Sequence, residues 1–562
     1  MQALICLALL IVAYTLMYQV AWQWGVIDNF FLVERLMDPH YIVRDFYTNS
    51  LVGYSPRYFV ARFFYYGGKL PGCSYEQFVA WSNIARLIFV EYGIYYLARK
   101  LSKSTWVAIV AVALGILSQH LAPPVPGWFF QKPDLTGQSL SLPFALFSLG
   151  FFVAESFGAS ALCAIITILI HPLMGLFLFP VFFLQRISGI ERITDSVAAL
   201  KNLVPMKMWW MSLPVLVFGL NSIIFKGAGG DAGGLSAQEY IDIVIKFRHP
   251  HHHLASSFGI RTWICDLIFL ATLGLAAFSA RKYCSSHKFI YLLVAYYFLI
   301  CFCGWFFIEI YPMKSMAMVG PYRSFTYYYP FFVIMISIVL VHSWKQKRVI
   351  IPILFVLSFA MCPFNARYSF LTLLLGLVLS HPFTRYAWAD RLEEKIHGVA
   401  SRYSQTIILI ALLLSAGFAV SSLMRFKISI PDLSAPENLI YKWVQEHTEQ
   451  DAIIWPEDSV DDLVDQKLRL FSRRAIVVGS DFPFLEKFIK PWYERYLDIK
   501  GNVLNPPKPK LSLLSADEIH GTCLKYHVDY LLSNTRLAES PFYSMQNQSE
   551  NKNVPVYLYH VR

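Results

Sequence analysis

The sequence predicts an all-α polytopic membrane bundle of about 11 to 13 transmembrane helices, followed by a small α/β domain outside the membrane. Three observations support this prediction. Hydrophobic residues make up 56% of the 562 residues and charged residues only 15%, whereas soluble domains average about 25% charged residues. Apolar stretches of nearly bilayer-spanning length recur as far as residue 424, and the remaining residues, 425–562, are charged and rich in turns.

The apolar stretches define the bundle, predicted over residues 1–424. Each stretch approaches the roughly 17 to 25 residues that a helix needs to cross a bilayer. They cover residues 1–22, 80–98, 105–122, 140–156, 159–184, 208–225, 262–280, 289–311, 326–343, 349–363, 367–381 and 406–423. The first lacks a basic segment and a small-residue cleavage site, so we interpret it as a retained helix and not as a signal peptide.

Basic residues predict the orientation of the bundle, because lysine and arginine accumulate in short cytoplasmic connections. Such connections occur at 99–103, 281–288 and 345–348. The pattern predicts a cytoplasmic N-terminus and an outer C-terminal domain, with outer loops at 23–79, 226–261 and 312–325. We expect a bacterial inner membrane, with the C-terminal domain in the periplasm, because Asn547-Gln548-Ser549 is the sole N-glycosylation signal.

One apolar stretch does not fit simple alternation. Twelve crossings would leave both termini on one side, so the predicted orientation requires an odd number. The conflict between the number of apolar stretches and the predicted orientation lies within residues 105–207. We expect the exception at 159–184, where His171-Pro172 and Gly175 interrupt the apolar run and favour a broken helix.

Charge and cysteine content exclude other classes of function. The formal net charge is +11, and in a membrane protein such an excess usually lies in cytoplasmic loops, so we do not expect nucleic acid as a partner. Nine cysteines lie mostly inside apolar runs without a Cys-x-x-Cys pair. They are typical of buried thiols and not of a disulfide framework or a zinc site.

The first outer loop carries two candidate catalytic carboxylates, Asp38 and Asp45. A carboxylate at the membrane surface could accept a proton from an acceptor hydroxyl or bind a divalent cation. The seven-residue spacing would place both aspartates on one face of a helix. The alternative is structural, with both pairing with Arg35 and Arg44 or capping short helices.

The second outer loop carries a basic cluster, Lys246-Phe247-Arg248-His249-Pro250-His251-His252-His253. We interpret Arg248, His249 and His251 as candidate ligands of an anionic substrate through charge-assisted hydrogen bonds. Zinc is less favoured, because consecutive histidines rarely give tetrahedral geometry. A solvated basic turn near lipid headgroups is the alternative.

Two further residues are candidates for substrate binding. Arg323 precedes an apolar run, where its guanidinium could bind a lipid phosphate or a pyrophosphate, or equally place a helix end among headgroups. His171 lies inside an apolar stretch, where ionisable groups are costly unless paired or functional. A hydrogen-bonded structural histidine is the alternative. Glu91 and Asp266 are similarly placed, and we expect Glu91 to pair with Arg86 or Arg99, and Asp266 with Arg261.

The combined plan resembles the GT-C class of membrane glycosyltransferases. It comprises an inside N-terminus, one helix, a long acidic outer loop, a bundle with a broken helix and an outer α/β domain. The runs His171 to Gly175 and Arg248 to His252 also resemble those of bacterial multi-span proteins of this plan, with no role attached to them. The resemblance implies that the first outer loop supplies the catalytic carboxylate, here Asp38 or Asp45. The loop has no adjacent Asp-Glu pair and no D-x-D or E-x-D motif, which leaves open the choice of aspartate and a requirement for a divalent cation.

The resemblance also implies the partners. The donor would be a sugar linked to a polyprenyl phosphate, and the acceptor would be a glycan, lipid or protein at the outer face. Membrane lipids would surround the protein, and its process would be the biosynthesis of cell-envelope polysaccharide. The alternative functions are a transporter or flippase for lipid-linked saccharides, a polymerase-like protein, and an assembly subunit. A transporter predicts paired discontinuous helices in two similar halves, whereas this sequence shows one interrupted stretch without a partner.

Overall fold

A computed structural model shows a mostly helical chain with a small sheet near the C-terminus. It describes residues 8, 11, 27–117, 135–189, 206–229, 234–284, 287–346, 438–457, 464–479, 481–501, 511–551 and 554–562. The predicted spans 349–363, 367–381 and 406–423 lie outside these residues, as does the span 1–22 apart from positions 8 and 11.

The described elements are numbered in chain order. The α-helices are α1 (Ile27–Met37), α2 (Phe46–Leu51), α3 (Tyr58–Gly67), α4 (Tyr75–Ser102), α5 (Thr105–Leu117), α6 (Gly137–Val153), α7 (Phe157–Ile170), α8 (Pro172–Leu176), α9 (Leu178–Ile187), α10 (Ser212–Gly229), α11 (Ala237–Tyr240), α12 (Pro250–His253), α13 (Ile260–Ala280), α14 (His287–Trp305), α15 (Lys314–Val319), α16 (Tyr328–Lys345), α17 (Leu439–Glu446), α18 (Val464–Lys467), α19 (Glu486–Lys500) and α20 (Ala516–Tyr526). Shorter 3₁₀ or π turns cover Met206–Met211, Ile241–Arg248, Ala255–Ser257, Phe306–Ile310, Pro321–Tyr327, Leu468–Ser472 and Leu511–Leu513. The strands are β1 (Ile453–Pro456), β2 (Ala475–Ile476), β3 (Tyr530–Ser533), β4 (Tyr543–Asn551) and β5 (Val554–Val561).

The chain divides into two compact units. The helical unit comprises Met1–Ala21, Ala80–Asn221 and Pro250–Ile428, and the sheet unit comprises Trp22–Val79, Ser222–His249 and Ser429–Arg562. The predicted C-terminal domain therefore shares its unit with the whole of the predicted outer loop 23–79 and with part of the loop 226–261.

Within the helical unit, three helical stretches are long and apolar enough to cross a membrane: Ile260–Ala280, His287–Ile310 and Lys314–Lys345. The first two expose large apolar side chains, among them Ile264, Leu267, Phe298 and Leu299. Contiguous exposed apolar surface of this kind is unfavourable in water and suits a lipid environment. The last stretch includes residues 314–325, most of a predicted outer loop, where α15 is followed by a left-handed Gly320 and a 3₁₀ turn.

Helix α16 lies in the interior of the helical unit. From Tyr328 to Leu340 every side chain is buried. A helix that is apolar on all sides belongs in a core, because no face gains from contact with water. Helices α5 and α13 pack against it.

The apolar stretch 159–184 is interrupted, as its sequence predicts. Helix α7 ends at Ile170, and His171 has an extended backbone with φ −150° and ψ 96°. Pro172 is the first residue of α8, a position where proline's missing N–H costs no hydrogen bond. A Cβ on Gly175 would lie 2.2 Å from Ile168 Cγ1, so the close return of the chain after the break requires glycine.

The sheet unit contains a mixed five-stranded sheet in the order β2-β1-β3-β5-β4. Strand β1 pairs in parallel with β2 and β3, while β5 is antiparallel to both β3 and β4. All described residues of β1 and β3 are buried, as expected for central strands covered on both faces. Strands β1, β2, β3 and β5 coincide with the short apolar or β-branched runs of the sequence at 452–455, 475–478, 530–532 and 556–559.

Successive side chains of the sheet enter two separate cores, because strand side chains alternate between faces. On one face Ile453, Trp455 and Leu531 pack with buried side chains that include those of helices α19 and α20. On the other face Ile454, Tyr530 and others pack with α17 and residues 464–471. The sheet therefore has helices on both faces.

Candidate active site

Two carboxylates face one arginine in the sheet unit. Glu34 and Asp38 are four residues apart at the end of α1, a spacing that brings side chains together on a helix. We call them the acidic pair. Nη2 of Arg473 lies 3.1 Å from Oδ2 of Asp38 and 3.6 Å from Oε2 of Glu34. A single guanidinium nitrogen therefore contacts both carboxylates.

The members of the acidic pair differ in exposure. The side chain of Asp38 is 37% exposed and that of Glu34 only 18%. Burial raises the pKa of Glu34 above its usual value of 4.5, with further upward contributions from Glu76 and Asp38, while Arg473 acts in the opposite direction. Oδ1 of Asp38 accepts the His40 N–H at 2.9 Å. This arrangement suits proton transfer, because one carboxylate is accessible and the other has an increased affinity for a proton.

Asp45 is in a different environment. It has no exposed surface, and its Oδ1 accepts the Thr48 N–H at 2.7 Å as the N-cap of α2. Its Oδ2 accepts Nε–H of Arg469 at 2.8 Å and the Ile476 N–H at 3.2 Å. Arg469 also pairs with Asp481. Both oxygens of Asp45 are thus engaged in buried structure.

The two aspartates do not share one helix. Helix α1 ends at Met37 and α2 begins at Phe46, with turns between them. Pro39 explains the break, because a proline disfavours helical conformation in the residue before it. Asp45 does cap a short helix, as the structural alternative predicts. The expected ion pairs of the two aspartates with Arg35 and Arg44 are replaced by other contacts. Arg35 donates hydrogen bonds to the Ile42 carbonyl and to Oδ1 of Asn49.

Arg44 instead pairs with the C-terminal part of the sheet unit. Its Nη1 lies 2.8 Å from Oδ2 of Asp529, and its Nη2 donates to the carbonyl of His527. Glu34 and Arg473, by contrast, are site residues that the sequence analysis does not identify. The four-residue spacing of Glu34 and Asp38 is a signal that could have found the first.

Arg248 and His249 close the π-helical turn Ile241–Arg248 in the sheet unit. The neighbouring Phe247 packs edge-on against Trp492 and Tyr493 of α19, and the His249 ring contacts Phe482. These aromatic contacts hold the turn in place within the sheet unit. The proposed binding of a phosphate by Arg248 and His249 stays a prediction.

The helical unit brings Arg323 to the histidines of α12. His253 is buried, and a Cβ on Gly320 would lie 2.8 Å from its Cε1 and 3.6 Å from Cδ of Arg323. Burial lowers the pKa of His253 well below its usual value of 6.5, with further contributions from Arg323, His252 and His251. His251 is exposed, and its ring lies 4.1 Å from that of His252. A guanidinium beside several imidazoles is chemically suited to an anion.

His171 and Asp266 have local structural contacts. Nδ1 of His171 accepts the Met174 N–H at 3.2 Å and so caps α8. Asp266 is buried and accepts the Tyr297 hydroxyl at 2.6 Å, a partner other than the expected Arg261. Glu91 is buried within α4. The cap explains His171 without a ligand, and its assignment to substrate binding stays a prediction.

Comparisons with known proteins give one family match and several loose structural matches. A family model described as a domain of unknown function (DUF6798) matches residues 435–499, within the sheet unit. No curated protein matches the chain.

Among solved structures, ArnT from Cupriavidus metallidurans bound to undecaprenyl phosphate is 13% identical with a TM-score of 0.44, covering 100% of this chain and 97% of that one. The apo state of the same protein is 13% identical with a TM-score of 0.43, and the match covers 99% of this chain and 97% of that one. A third match is the archaeal oligosaccharyltransferase AglB from Archaeoglobus fulgidus, in complex with an inhibitory peptide and a dolichol-phosphate. It is 12% identical with a TM-score of 0.38, and the match covers 94% of this chain and 69% of that one. These resemblances establish neither a family nor an activity for this chain.

Proposed function

We propose that the protein is a membrane glycosyltransferase that moves a sugar from a polyprenyl-phosphate carrier to an acceptor at the outer face of the membrane. The observation that carries the proposal is the acidic pair, two carboxylates of the predicted first outer loop that share one arginine. The apolar helices of the helical unit support a membrane location for the protein. The sequence resemblance to the GT-C class assigns the catalytic carboxylate to the same loop.

The acidic pair would supply the base of the reaction. An acceptor hydroxyl attacks the anomeric carbon of the sugar, a new C–O bond forms, and the bond to the carrier phosphate breaks with its electrons on the leaving phosphate. The proton of the hydroxyl passes to a carboxylate. We assign this role to Asp38, because its side chain is exposed, with Glu34 beside it as a second proton-binding group. Asp45 would support the loop, because both of its oxygens accept hydrogen bonds inside the unit.

The cationic side chains would bind the carrier phosphate. Two alternative groups are proposed, each within one unit: Arg323 with His251 in the helical unit, or Arg248 with His249 in the sheet unit. Fixed cations of this kind stabilise the negative charge that develops on a leaving phosphate. A divalent cation bound by the acidic pair is compatible with the same role, because carboxylates are the ligands such ions prefer.

The test compares cells lacking the protein with cells complemented by single variants. Mass spectrometry of lipid extracts measures whether polyprenyl-linked saccharides accumulate. We expect accumulation in the deletion strain, rescue by the wild type, and loss of rescue by Asp38→Asn at normal protein level. Removal of a general base typically lowers a rate by about 10² to 10⁴-fold. We expect Glu34→Gln to give a smaller defect.

Asp498→Asn is the matched control. Asp498 has the same side-chain exposure as Asp38, 37%, and pairs with Lys525 at 2.6 Å in the same unit. We expect it to rescue fully. Full rescue by both Asp38→Asn and Glu34→Gln would remove the proposed base. Absence of any accumulated lipid-linked saccharide in the deletion strain would remove the proposed donor.

A further inference from the structure

Three arginines in residues 469–474 connect the C-terminal part of the sheet unit to the first outer loop. Arg469 is buried and pairs with Asp45 at 2.8 Å and with Asp481. Its backbone carbonyl accepts the Tyr41 hydroxyl at 2.7 Å. A buried ion pair with two carboxylates and a backbone contact gives the segment a defined position against the loop.

Arg474 fixes the other end of this segment. Its guanidinium donates to the carbonyls of Gln445, Thr448 and Ser472 and to Oγ1 of Thr448, at 2.7 to 2.9 Å. These bonds tie residue 474 to the end of helix α17. The residue between the two fixed positions, Arg473, is therefore held on both sides.

Arg473 itself adopts a left-handed backbone conformation, with φ 53° and ψ 44°. Residues other than glycine and asparagine adopt this region at a cost, so its presence indicates that the surroundings impose it. The side chain stacks over the Tyr41 ring at 5.1 Å and reaches both members of the acidic pair. The strained turn and the stacking together direct the guanidinium toward Glu34 and Asp38.

We infer that Arg473 is a positioning residue, which orients the carboxylates of Glu34 and Asp38 so that the C-terminal part of the chain completes the candidate active site. This inference rests on the proposed function. An exposed ion pair alone contributes little to stability, and the Arg473 side chain is 42% exposed. The role is therefore assigned to orientation and charge at the site and not to folding.

The inference predicts a specific change in pH dependence. Arg473 opposes the increase that burial causes in the pKa of Glu34. Replacement by glutamine removes a cation that lies 3.1 Å from Asp38 and 3.6 Å from Glu34. The charged forms of both carboxylates lose this stabilisation, so the acidic limb of the pH–rate profile should move to higher pH. Arg473→Lys keeps the charge but loses the planar fork, and should restore the position of the limb while recovering only part of the rate.

The experiment uses the purified full chain in detergent. The donor is the lipid-linked saccharide extracted from cells lacking the protein, and the initial rate is the release of polyprenyl phosphate, measured between pH 5 and 9. We expect Arg473→Gln to lower kcat by about 10 to 100-fold with little change in KM, a range typical of residues that orient a catalytic group. Arg44→Gln is the control, because Arg44 pairs with Asp529 in the same unit and not with the acidic pair.

A second measurement does not depend on activity. Hydrogen–deuterium exchange of peptides covering residues 34–41 reports the order of the loop. We expect Arg473→Gln to increase their exchange by about fivefold, and Arg44→Gln to leave it unchanged. Unchanged exchange together with an unchanged pH profile in Arg473→Gln would overturn the inference.

The two proposals fail in different ways. If Asp38→Asn and Glu34→Gln abolish transfer while Arg473→Gln behaves as wild type, the proposed function stands and the positioning role is wrong. If both carboxylate variants retain full transfer, the proposed function loses its base. Increased exchange in Arg473→Gln would then support only the contact with the loop, and the positioning of a catalytic group would be refuted.

Discussion

Asp45→Asn separates structural support from chemistry in the predicted first outer loop. Aspartate offers two oxygens, one to the Thr48 N–H and one to Arg469 and the Ile476 N–H. Asparagine offers one oxygen and an NH₂ group that accepts nothing. In either orientation of the amide, one set of buried donors loses its acceptor.

The expected cost follows from the burial of the pair. Asp45 and Arg469 have side-chain exposures of 0% and 1%. Removing one partner of a buried ion pair costs about 3 to 5 kcal/mol. We expect the lower end, about 3 kcal/mol, because Arg469 keeps Asp481 as a partner and asparagine keeps one acceptor. That free energy corresponds to a change of more than about 100-fold in the population of opened molecules.

Hydrogen–deuterium exchange of peptides covering residues 469–477 measures this opening directly in the purified protein. We expect exchange to accelerate by about two orders of magnitude in Asp45→Asn, and by less than about fivefold in Asp498→Asn, whose ion pair is exposed. Unchanged exchange in Asp45→Asn would refute the structural reasoning. Unchanged exchange combined with lost transfer would instead assign Asp45 to the chemistry.

Two further predictions concern the helical unit. Gly320 has φ +61°, and an added Cβ would lie 2.8 Å from His253. Gly320→Ala should therefore lower the free energy of unfolding by about 1 to 3 kcal/mol and reduce the Tm. Gly274 has open space around it, so Gly274→Ala should not reduce the Tm. His253 has a pKa lowered well below 6.5, so the unfolded chain binds the proton first as pH falls. Stability should be complete above pH 6.5 and decrease by up to about 1.4 kcal/mol per pH unit below it. The Tm difference between wild type and His253→Asn across this range measures the effect, and equal pH dependence would contradict it.

Local sequence patterns predict much of the sheet unit but not strand β4. The apolar and β-branched runs that form β1, β2, β3 and β5 are visible because each enters a core. Strand β4, with the sequence YSMQNQSEN, has no such run; it lies at one edge of the sheet, paired with β5. Helix α20 also escaped prediction, although the capping box of Ser515 and Glu518 is a recognisable start signal.

The candidate site is less predictable, because its members are far apart in sequence. Asp38 was identified as an acid in an outer loop, but its partner Arg473 is 435 positions away. No periodicity or spacing in a single sequence links such positions. The end of α1 is predictable from the sequence, because Pro39 follows Asp38 directly and disfavours helical conformation in the residue before it. A common face for Asp38 and Asp45 would require one continuous helix, and the break before Pro39 excludes it.

The position of that break explains why two aspartates of one short loop have different environments. Asp38 stays at the end of α1 and is held beside Glu34 by helical spacing, where it keeps an exposed carboxylate. The turns after Pro39 return the chain, so that Asp45 begins α2 with its carboxylate directed into buried donors. The loop is therefore paired with residues 469–474 through a buried ion pair at Arg469 and an exposed one at Arg473. Because only the exposed contact leaves a carboxylate accessible, the proposed function assigns chemistry to Asp38 and structural support to Asp45. Double substitution at Asp38 and Asp45 should then combine a loss of rate with a loss of stability that arise independently.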